Sequence, residues 1–395
     1  MVSRSLLTLF LVTWLPAACA MPGFMRFPSD TPTSPPETFT VLTYNVLHGL
    51  QVGRFTVRLG ESAEARAARF TRRITDLAQA QPDIILLQEV NPLPEMAIDY
   101  VRALQARGLN YSEVHQVDAC GLRLAPGVAF VPGLNNGLVI LAKAPHQIRK
   151  LDGVKLSGGI GACRDAWGVQ FNEFRYWLIA EVTNLRSRMR YLVATAHFHS
   201  GIERDGRFLH ELMEAHRHGR VQHYNELMDI LATGQERRLT ELHTLVAALR
   251  TFQAEGNYAG VIIGGDFNFE AGSPEYQALE GLGFQDTYHL AALERRLETY
   301  DPQKNPLAMY EETALPPALS LSIAGESPSD QQEIVATYRH LIGMARRIDF
   351  LFSLSFMSKA CLRQHLFGEA AMPGDLPGSD HYGVLNTYSY QMLPC

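Results

Sequence analysis

The side chains that could carry chemistry in this chain are carboxylates, amides and imidazoles, and they share one kind of position. Each lies at the end of a short apolar run that is typical of a β-strand. They are Asn45, Glu89, His197, Asp266, Asn268, Asp349, Asp380 and His381. Carboxylate and amide oxygens suit a hard divalent cation, and imidazoles suit proton transfer. The pattern therefore predicts a site for a metal ion and a phosphate.

Strands and helices that alternate along the chain must position these side chains. Helical spacing of apolar residues predicts helices over residues 65–79, 95–107 and 238–253. Apolar runs predict strands over residues 39–44, 83–88, 137–142, 176–182, 191–196, 261–264, 348–353 and 382–386. Ligand sites of open α/β sheets lie beyond the carboxyl ends of strands, so the polar residues should meet there. The alternation indicates one domain with sheets inside and helices outside.

Each polar residue also has an ordinary structural explanation. Asn45 alone would be a turn residue, Glu89 could begin a loop, and His197 could be a hydrogen-bonded histidine of the core. The repetition of such residues at the ends of several strands favours a shared site.

The motifs around these residues resemble those of the endonuclease/exonuclease/phosphatase superfamily and occur in the order of that family. They are Thr43-Tyr-Asn45-Val, Leu87-Gln-Glu89-Val, Gly137-Leu-Val-Ile-Leu-Ala142, Ala194-Thr-Ala-His197-Phe-His-Ser200, Gly264-Gly-Asp266-Phe-Asn268, Arg347-Ile-Asp349-Phe and Gly378-Ser-Asp380-His381. Each motif is weak alone, and together they cover the chain from about residue 39 to 388. The resemblance implies an α/β (α+β) fold, a four-layer α/β/β/α sandwich of two mostly antiparallel sheets flanked by helices.

The resemblance also implies roles for the carboxylates and amides. Glu89 would be the principal ligand of Mg²⁺, with Mn²⁺ as the alternative ion. Asn45 would bind the metal shell or a phosphate oxygen, and Asp380 would bind the ion or support its ligands. Asp266 would orient or deprotonate the attacking water. Asn268 would donate a hydrogen bond to a phosphoryl oxygen, since an amide adds a donor without adding charge.

Two histidines and a further asparagine complete the predicted site. By the same resemblance, His381 would act at the phosphorus centre as a base or an electrostatic stabiliser, with Asp349 fixing its tautomer. His197 matches a second histidine of the deoxyribonuclease and sphingomyelinase branches and would be the general acid for the leaving oxygen. Asn136 is a candidate substrate contact, although Asn135 and a plain turn compete with this interpretation.

These roles predict a metal-dependent phosphodiester hydrolase, but they leave its substrate open. A sphingomyelinase- or phospholipase C-like substrate is slightly favoured, because residues 298–305 resemble a segment of sphingomyelinase-like exported members. The apolar stretch 120–136 could contact a lipid surface or fold onto the protein. A secreted, deoxyribonuclease-like endonuclease is the alternative, although the chain lacks clustered Lys and Arg with interleaved aromatic residues. A non-catalytic binding module is a third interpretation, and the presence of Glu89, Asp266 and His381 argues against it.

The composition agrees with a folded enzyme and excludes a globally basic nucleic-acid-binding protein. The chain of 395 residues is 46% hydrophobic and 19% charged, with a formal net charge of −6. A nuclease is still allowed, because a bound cation can attract a phosphate. The expected partner is a phosphodiester of a phospholipid head group or of nucleic acid. Peripheral contact with a membrane and a monomeric state are further expectations.

The first residues have the features of an export signal, which we assign to residues 1–20. Arg4 precedes an apolar core at residues 6–14, and small residues lie near Cys19 at a cleavage site. The apolar core is shorter than the roughly 20 residues of a membrane-spanning helix. Cys19 could instead be acylated, although Pro16 replaces the usual aliphatic residue. The expected location is therefore exported: periplasmic, secreted or lipid-anchored.

A Pro/Ser/Thr-rich tether at residues 21–38 precedes one catalytic domain at residues 39–395, with insertions at about 202–234 and 302–346. The chain has five cysteines, and the four other than Cys19 could form two disulfides in an oxidising compartment. Three pairings are possible, and proximity along the chain favours Cys120 with Cys163 and Cys361 with Cys395. The histidine-rich insertion does not match the zinc motif H-E-x-x-H, which favours a solvated helix.

Overall fold

The structure is a computed structural model, and its strands and helices follow the predicted alternation. It describes residues 38–52, 57–120, 123–125, 128–129, 135–164, 167–200, 206–219, 224–287, 298–308, 327–329, 331–332, 335–336, 344–355, 364–368 and 377–389. The helices are α1 (Ala63–Ala80), α2 (Glu95–Gln105), α3 (Gly206–Arg217), α4 (Tyr224–Glu255) and α5 (Pro274–Gly281). The strands are β1 (Thr38–Asn45), β2 (Leu50–Val52), β3 (Val57–Leu59), β4 (Ile84–Val90), β5 (Tyr111–Cys120), β6 (Arg123–Ala125), β7 (Val128–Ala129), β8 (Asn135–Lys143), β9 (His146–Asp152), β10 (Lys155–Arg164), β11 (Trp167–Asn184), β12 (Arg190–His197), β13 (Gly260–Asp266), β14 (Gln285–Asp286), β15 (Asp349–Ser355), β16 (Gln364–Phe367) and β17 (Gly383–Ser389).

Two mixed sheets hold the strands that carry the motifs. The first has the order β16-β17-β1-β4-β8-β5, and the second has the order β10-β11-β12-β13-β15-β14 with β9 paired to β11. Parallel pairing joins β1 to β4 and β12 to β13, while the other described neighbours in these sheets are antiparallel. A parallel pair needs a crossover connection, which α1 supplies for the first pair and the α3–α4 region for the second. Both crossovers bring the carboxyl ends of their strands to one edge.

Apolar side chains cover both faces of each sheet, which explains the continuous apolar runs of the central strands. On β4, Ile84 and Leu86 belong to the core between the sheets, whereas Ile85 and Leu87 pack with α1 and α2. On the second sheet, α4 and α5 contribute to the core of the outer face. The predicted four-layer α/β/β/α sandwich is confirmed.

Local signals set the ends of α1, the crossover helix next to the site. The Ser62 side chain accepts a hydrogen bond from Ala65 N at 3.2 Å, as an N-cap residue does. The helix ends at Gln81, whose left-handed backbone (φ 48°) and N–H bonded to Leu77 O close the last turn. Pro82 follows and cannot continue the helix.

The predicted strands and helices are confirmed, most with longer bounds, but helix α5 and strands β2, β3, β5, β6, β7, β9, β10, β14 and β16 were not predicted. The longest of these strands are β5, β9 and β10. These three lie at or near the sheet edges, where polar side chains interrupt the apolar pattern that marks a central strand. Helix α4 extends beyond the predicted helix 238–253 and includes part of the insertion predicted at 202–234. Strand β1 begins at Thr38, which the sequence had assigned to the tether.

Several predictions concern residues that the structure does not describe. The export signal, residues 21–37 of the tether, Cys19 and most of the insertion at 302–346 lie outside the described residues. The side chains of Cys120, Cys163, Cys361 and Cys395 also lie outside them, so the disulfides remain a prediction. All described residues belong to one compact unit, Pro36–Cys395. Among them, no helix is both long and apolar enough to cross a membrane.

The close approach of the two sheets predicts that Gly264→Ala destabilises the protein. A Cβ atom at Gly264 would lie 2.6 Å from Leu86 Cδ1 and 2.7 Å from Leu351 Cδ2. Such overpacking costs about 1–3 kcal/mol, measurable by urea unfolding. Gly281→Ala, at the end of α5, is the matched control, because a Cβ there meets nothing within 4 Å. Equal stability of the two variants would contradict the tight sheet-to-sheet packing.

Candidate active site

A buried amide joins carboxylates of the two sheets at the edge where the crossovers converge. Asn45 Nδ2 donates to Glu89 Oε1 at 3.1 Å and to Asp266 Oδ2 at 3.0 Å. Asn45 Oδ1 accepts from Leu47 N at 3.1 Å, which turns the chain after β1. One residue before Glu89, Gln88 Nε2 donates to hydroxyls of both sheets, Thr43 Oγ1 at 3.1 Å and Thr195 Oγ1 at 2.9 Å. These amides fix the registry of the sheets beneath the site.

An irregularity in β4 presents Glu89 to the site. The pairing of β4 with β8 shifts between Leu87 and Val90, and Glu89 has a left-handed backbone (φ 60°). A non-glycine residue in this conformation costs of order 1–3 kcal/mol and is typical of functional sites. His48 N donates to Glu89 Oε2 at 3.0 Å, and His48 Nε2 lies 3.6 Å from the same oxygen. Burial would raise the pKa of Glu89, but His48 outweighs it, together with the hydrogen bonds from His48 N and Asn45 Nδ2, and holds this pKa well below its ordinary value.

His197 and Asp266 pair in register at the ends of β12 and β13. His197 Nε2 lies 3.5 Å from Asp266 Oδ2 and 4.0 Å from Glu89 Oε1. Burial, followed by the charge of Asp349, raises the pKa of Asp266 to about 7, against the opposing effects of His381 and Asn45. The protonation of Asp266 therefore changes near neutral pH.

Asn268 is next to Asp266, but its side chain is engaged with the backbone. The turn after β13 puts Asn268 in a left-handed conformation (φ 51°), from which its N–H donates to Asp266 Oδ1 at 3.1 Å. Asn268 Nδ2 donates to Phe198 O at 3.1 Å. The predicted bond from this amide to a phosphoryl oxygen must therefore use its remaining hydrogen, and in this structure its described bonds fix the turn.

His381 and Asp349 form a buried carboxylate–imidazole pair. His381 Nδ1 donates to Asp349 Oδ2 at 2.8 Å, and His381 Nε2 lies 3.8 Å from Asp266 Oδ2. Burial would lower the pKa of His381, but Asp349 and then Asp380 raise it well above its ordinary value of 6.5. The ring is thus held in its charged form, which favours a role as an electrostatic stabiliser over one as a base.

Asp380 immediately precedes His381, and Asn136 lies near the start of β8, the strand that pairs with β4. Ser379 Oγ donates to Asp380 Oδ1 at 3.1 Å, and burial, opposed by His381 and supported by Glu89, raises the pKa of Asp380. Asn136 is 5% exposed and precedes Gly137, the partner of Val90 at the end of β4. The described residues provide no hydrogen-bond partner for Asn136 Oδ1.

Two buried arginines of α1, which were not predicted as part of the site, hold its backbone. Arg69 Nη1 donates to Val46 O at 3.1 Å and to Gly378 O at 3.3 Å. Arg73 Nη1 donates to the same two carbonyls at 2.6 and 3.1 Å. Glu61 accepts from Arg69 Nε at 2.7 Å and compensates part of the buried charge. The segments that follow Asn45 and precede Asp380 are thereby tied to one helix.

A segment that the resemblance had singled out, residues 298–305, supports Asp349 and His381. Thr299 Oγ1 accepts from Asp349 N at 3.0 Å, and Thr299 O accepts from Tyr382 N at 2.6 Å. Asn305 Nδ2 donates to Ser379 O at 2.9 Å. The segment therefore holds both the start of β15, which carries Asp349, and the segment before β17, which carries His381. His48, by contrast, had no signal beyond its nearness to Asn45, because a single loop histidine has no motif.

The donor set fits a divalent cation. Two groups of donors have ligand atoms within 4.8 Å of one another: Glu89, His197 and Asp266, and Asp266, Asp349 and His381. The raised pKa values of Asp266 and Asp380 show that buried negative charge is incompletely compensated, which a cation would relieve. Three of the five residues in these groups are carboxylates, the ligands that hard cations prefer.

Fold and site together define a protein of the phosphoesterase and nuclease type. The sequence profile of the Endonuclease/Exonuclease/phosphatase family matches residues 42–381, so the chain belongs to this family. Its members are usually metal-dependent phosphodiesterases or nucleases.

Solved structures share the fold at low sequence identity. Truncated TDP2 of Caenorhabditis elegans is 15% identical with a TM-score of 0.51, over 89% of this chain and 97% of that chain. An endonuclease/exonuclease/phosphatase of Bacteroides vulgatus is 14% identical with a TM-score of 0.51, over 89% of this chain and 99% of that chain. No curated protein sequence matches significantly.

The buried charge of Asp266 predicts a pH-dependent gain in stability for Asp266→Asn. The folded state keeps the proton up to about pH 7, whereas an unfolded aspartate loses it near 3.8, so ionisation destabilises the fold as pH rises between these values. We expect Asp266→Asn to raise Tm relative to wild type, more at pH 8 than at pH 5, with chelator present. The exposed Asp99→Asn is the control, and an equal shift at both pH values would contradict the raised pKa.

Proposed function

We propose that this protein is an exported, Mg²⁺-dependent phosphodiesterase that hydrolyses its substrate by attack of water. The observation that carries the proposal is the buried cluster at the converging strand ends, where Asn45 Nδ2 donates to Glu89 and Asp266 and His381 Nδ1 donates to Asp349. The pKa of Asp266 is raised to about 7 and that of His381 well above 6.5, which suits a base and a cationic partner. Export rests on the predicted signal at residues 1–20.

The attacking water loses its proton to Asp266. Asp266 Oδ2 accepts the proton, and the bonds from Asn45 Nδ2 and Asn268 N keep the carboxylate oriented. His381 donates from Nε2 to a phosphoryl oxygen as negative charge develops, while Asp349 holds the ring through Nδ1. Asn136 and the remaining hydrogen of Asn268 are further donors for phosphoryl oxygens. His197 donates from Nε2 toward the leaving oxygen.

Glu89 and Asp380 would hold the cation beside these donors, and Asn45 would support the site by orienting Glu89 through its Nδ2–H. The ion would neutralise charge on the phosphoryl oxygens and lower the pKa of a coordinated water. Oxygen ligands favour Mg²⁺ and admit Mn²⁺. The low pKa of Glu89 supports its assignment as principal ligand, because it remains ionised at neutral pH.

We propose a phospholipid head group as the phosphodiester, in a sphingomyelinase- or phospholipase C-like reaction. Support comes from residues 298–305, since the segment with the sphingomyelinase-like resemblance bonds directly to the backbone of Asp349 and Tyr382. A net charge of −6 also agrees better with this substrate than with a nucleic acid. Nuclease activity is the alternative. Peripheral membrane contact and a monomeric state belong to the same proposal.

The proposed roles predict that His381→Ala and Asp349→Asn each lower kcat toward bis-p-nitrophenyl phosphate by about 10²–10⁴-fold. The thermal melt should stay within a few degrees of wild type. His115→Ala is a matched control, because His115 lies on β5 and pairs with Glu113. A His381→Ala protein with wild-type kcat would remove His381 from the mechanism.

The substrate is tested with the mature chain on sphingomyelin, phosphatidylcholine, plasmid DNA and inositol phosphates in parallel. We expect release of a phosphorylated head group from a lipid, and this should require Mg²⁺ or Mn²⁺. Cleavage of DNA alone would replace the lipid proposal with the nuclease. Full turnover in excess chelator would refute the metal-dependent mechanism.

A further inference from the structure

Arg175 contacts the catalytic histidine His197 from within the protein, on the nitrogen opposite the carboxylates. It lies on β11 outside every motif quoted above, and it is 7% exposed. Arg175 Nη1 lies 3.3 Å from His197 Nδ1 in a hydrogen bond. The other ring nitrogen, Nε2, faces Asp266 Oδ2 at 3.5 Å and Glu89 Oε1 at 4.0 Å.

The chemistry of the guanidinium decides the direction of this hydrogen bond. Arginine has N–H donors and no acceptor, so His197 Nδ1 must be the acceptor and must carry no proton. The proton of the neutral ring is then on Nε2, where both neighbouring oxygens can accept from it. A doubly protonated ring would direct an N–H at the Nη1–H of Arg175. His381 has the reverse environment, because its Nδ1 faces a carboxylate.

Both sheets hold Arg175 in position. Asp118 Oδ2, on β5 of the first sheet, lies 3.7 Å from Arg175 Nη1, and Asp118 Oδ1 accepts from Tyr176 N at 2.6 Å. Asp118 lies where the pairing of β5 with β8 shifts, between Val117 and Ala119. Arg175 Nη2 donates to Ser200 Oγ at 3.1 Å. The guanidinium is thus fixed in direction, and its buried charge has a carboxylate partner.

We propose that Arg175 is a positioning residue that fixes His197 as the neutral Nε2–H tautomer. This role rests on the proposed function. His197 then donates a hydrogen bond to the leaving oxygen but does not supply the proton that this oxygen finally takes up. As the bond from water oxygen to phosphorus forms and the bond to the leaving oxygen breaks, Asp266 takes one proton from water. That proton is released to solvent, and the leaving alkoxide takes one from solvent. His197 keeps its proton throughout.

The tautomer is tested by ¹⁵N NMR on the full chain labelled at histidine, without substrate. The chain has 14 histidines, so the His197 signals are assigned by their loss in His197→Gln. In wild type we expect a protonated Nε2 and a bare Nδ1. Arg175→Met should abolish this single tautomer, and Arg175→Lys, which keeps a cationic donor, should retain it. Arg190→Met is the matched control, because Arg190 lies on β12 and pairs with Glu181.

Kinetics provide the second measurement. Because outer partners of site residues typically contribute 10–100-fold, Arg175→Met should lower kcat by that factor with KM within about two-fold. Arg175→Lys should restore most of kcat, and Arg190→Met should not change it.

A wild-type His197 with its proton on Nδ1, or doubly protonated, would overturn the proposal, even if Arg175→Met did not fold. An unchanged His197 spectrum in a folded Arg175→Met protein would overturn it as well. Absence of turnover by wild type on every phosphodiester would instead refute the proposed function, since the spectrum requires no activity.

Discussion

The site depends on one buried amide that lies between carboxylates of two different sheets. Asn45 Nδ2 is within 3.1 Å of Glu89 Oε1 and 3.0 Å of Asp266 Oδ2. Neither carboxylate could be buried so close to the other without such a donor, because isolated charges pay a large desolvation cost. The amide also joins the two sheets at the site. The parallel pairs β1–β4 and β12–β13 make this contact possible, because they bring the strand ends that carry these residues to one edge.

Three buried arginines surround the acidic residues of the site without bonding to Glu89 or Asp266 in the contacts described above. Arg69 and Arg73 hold backbone carbonyls of the site segments, and Arg175 holds an imidazole. Direct pairing with an arginine would hold the pKa of Asp266 low and remove its basicity. The arginines instead support the geometry of the site, so that its negative charge would be available to a cation. The arginines therefore hold the geometry of the site, and the proposed chemistry falls to the carboxylates and the histidines.

The central strands and the residues at their ends could be predicted from the sequence, because burial on both faces produces continuous apolar runs and the family motifs mark the polar positions that follow. The supporting residues could not be predicted in this way. Arg69 and Arg73 are four residues apart on an amphipathic helix, a spacing that equally describes a solvated face. Arg175 on β11 is held by Asp118 on β5, and no local sequence pattern predicts that these two strands approach each other. The bond of Asn268 Nδ2 to Phe198 O likewise depends on how two strand ends meet.

The residues of the site also lower the stability of the folded protein. Glu89 and Asn268 have left-handed backbones, and Asp266 is buried with a raised pKa. Conformations and charges of this kind persist only where the surroundings over-determine them. The packed core between the sheets supplies that rigidity, because a displaced β4 or β13 would disturb apolar contacts on both faces. A metal-dependent reaction would therefore suit this position, because a cation would bind carboxylates that folding has already brought together and would relieve the repulsion between them.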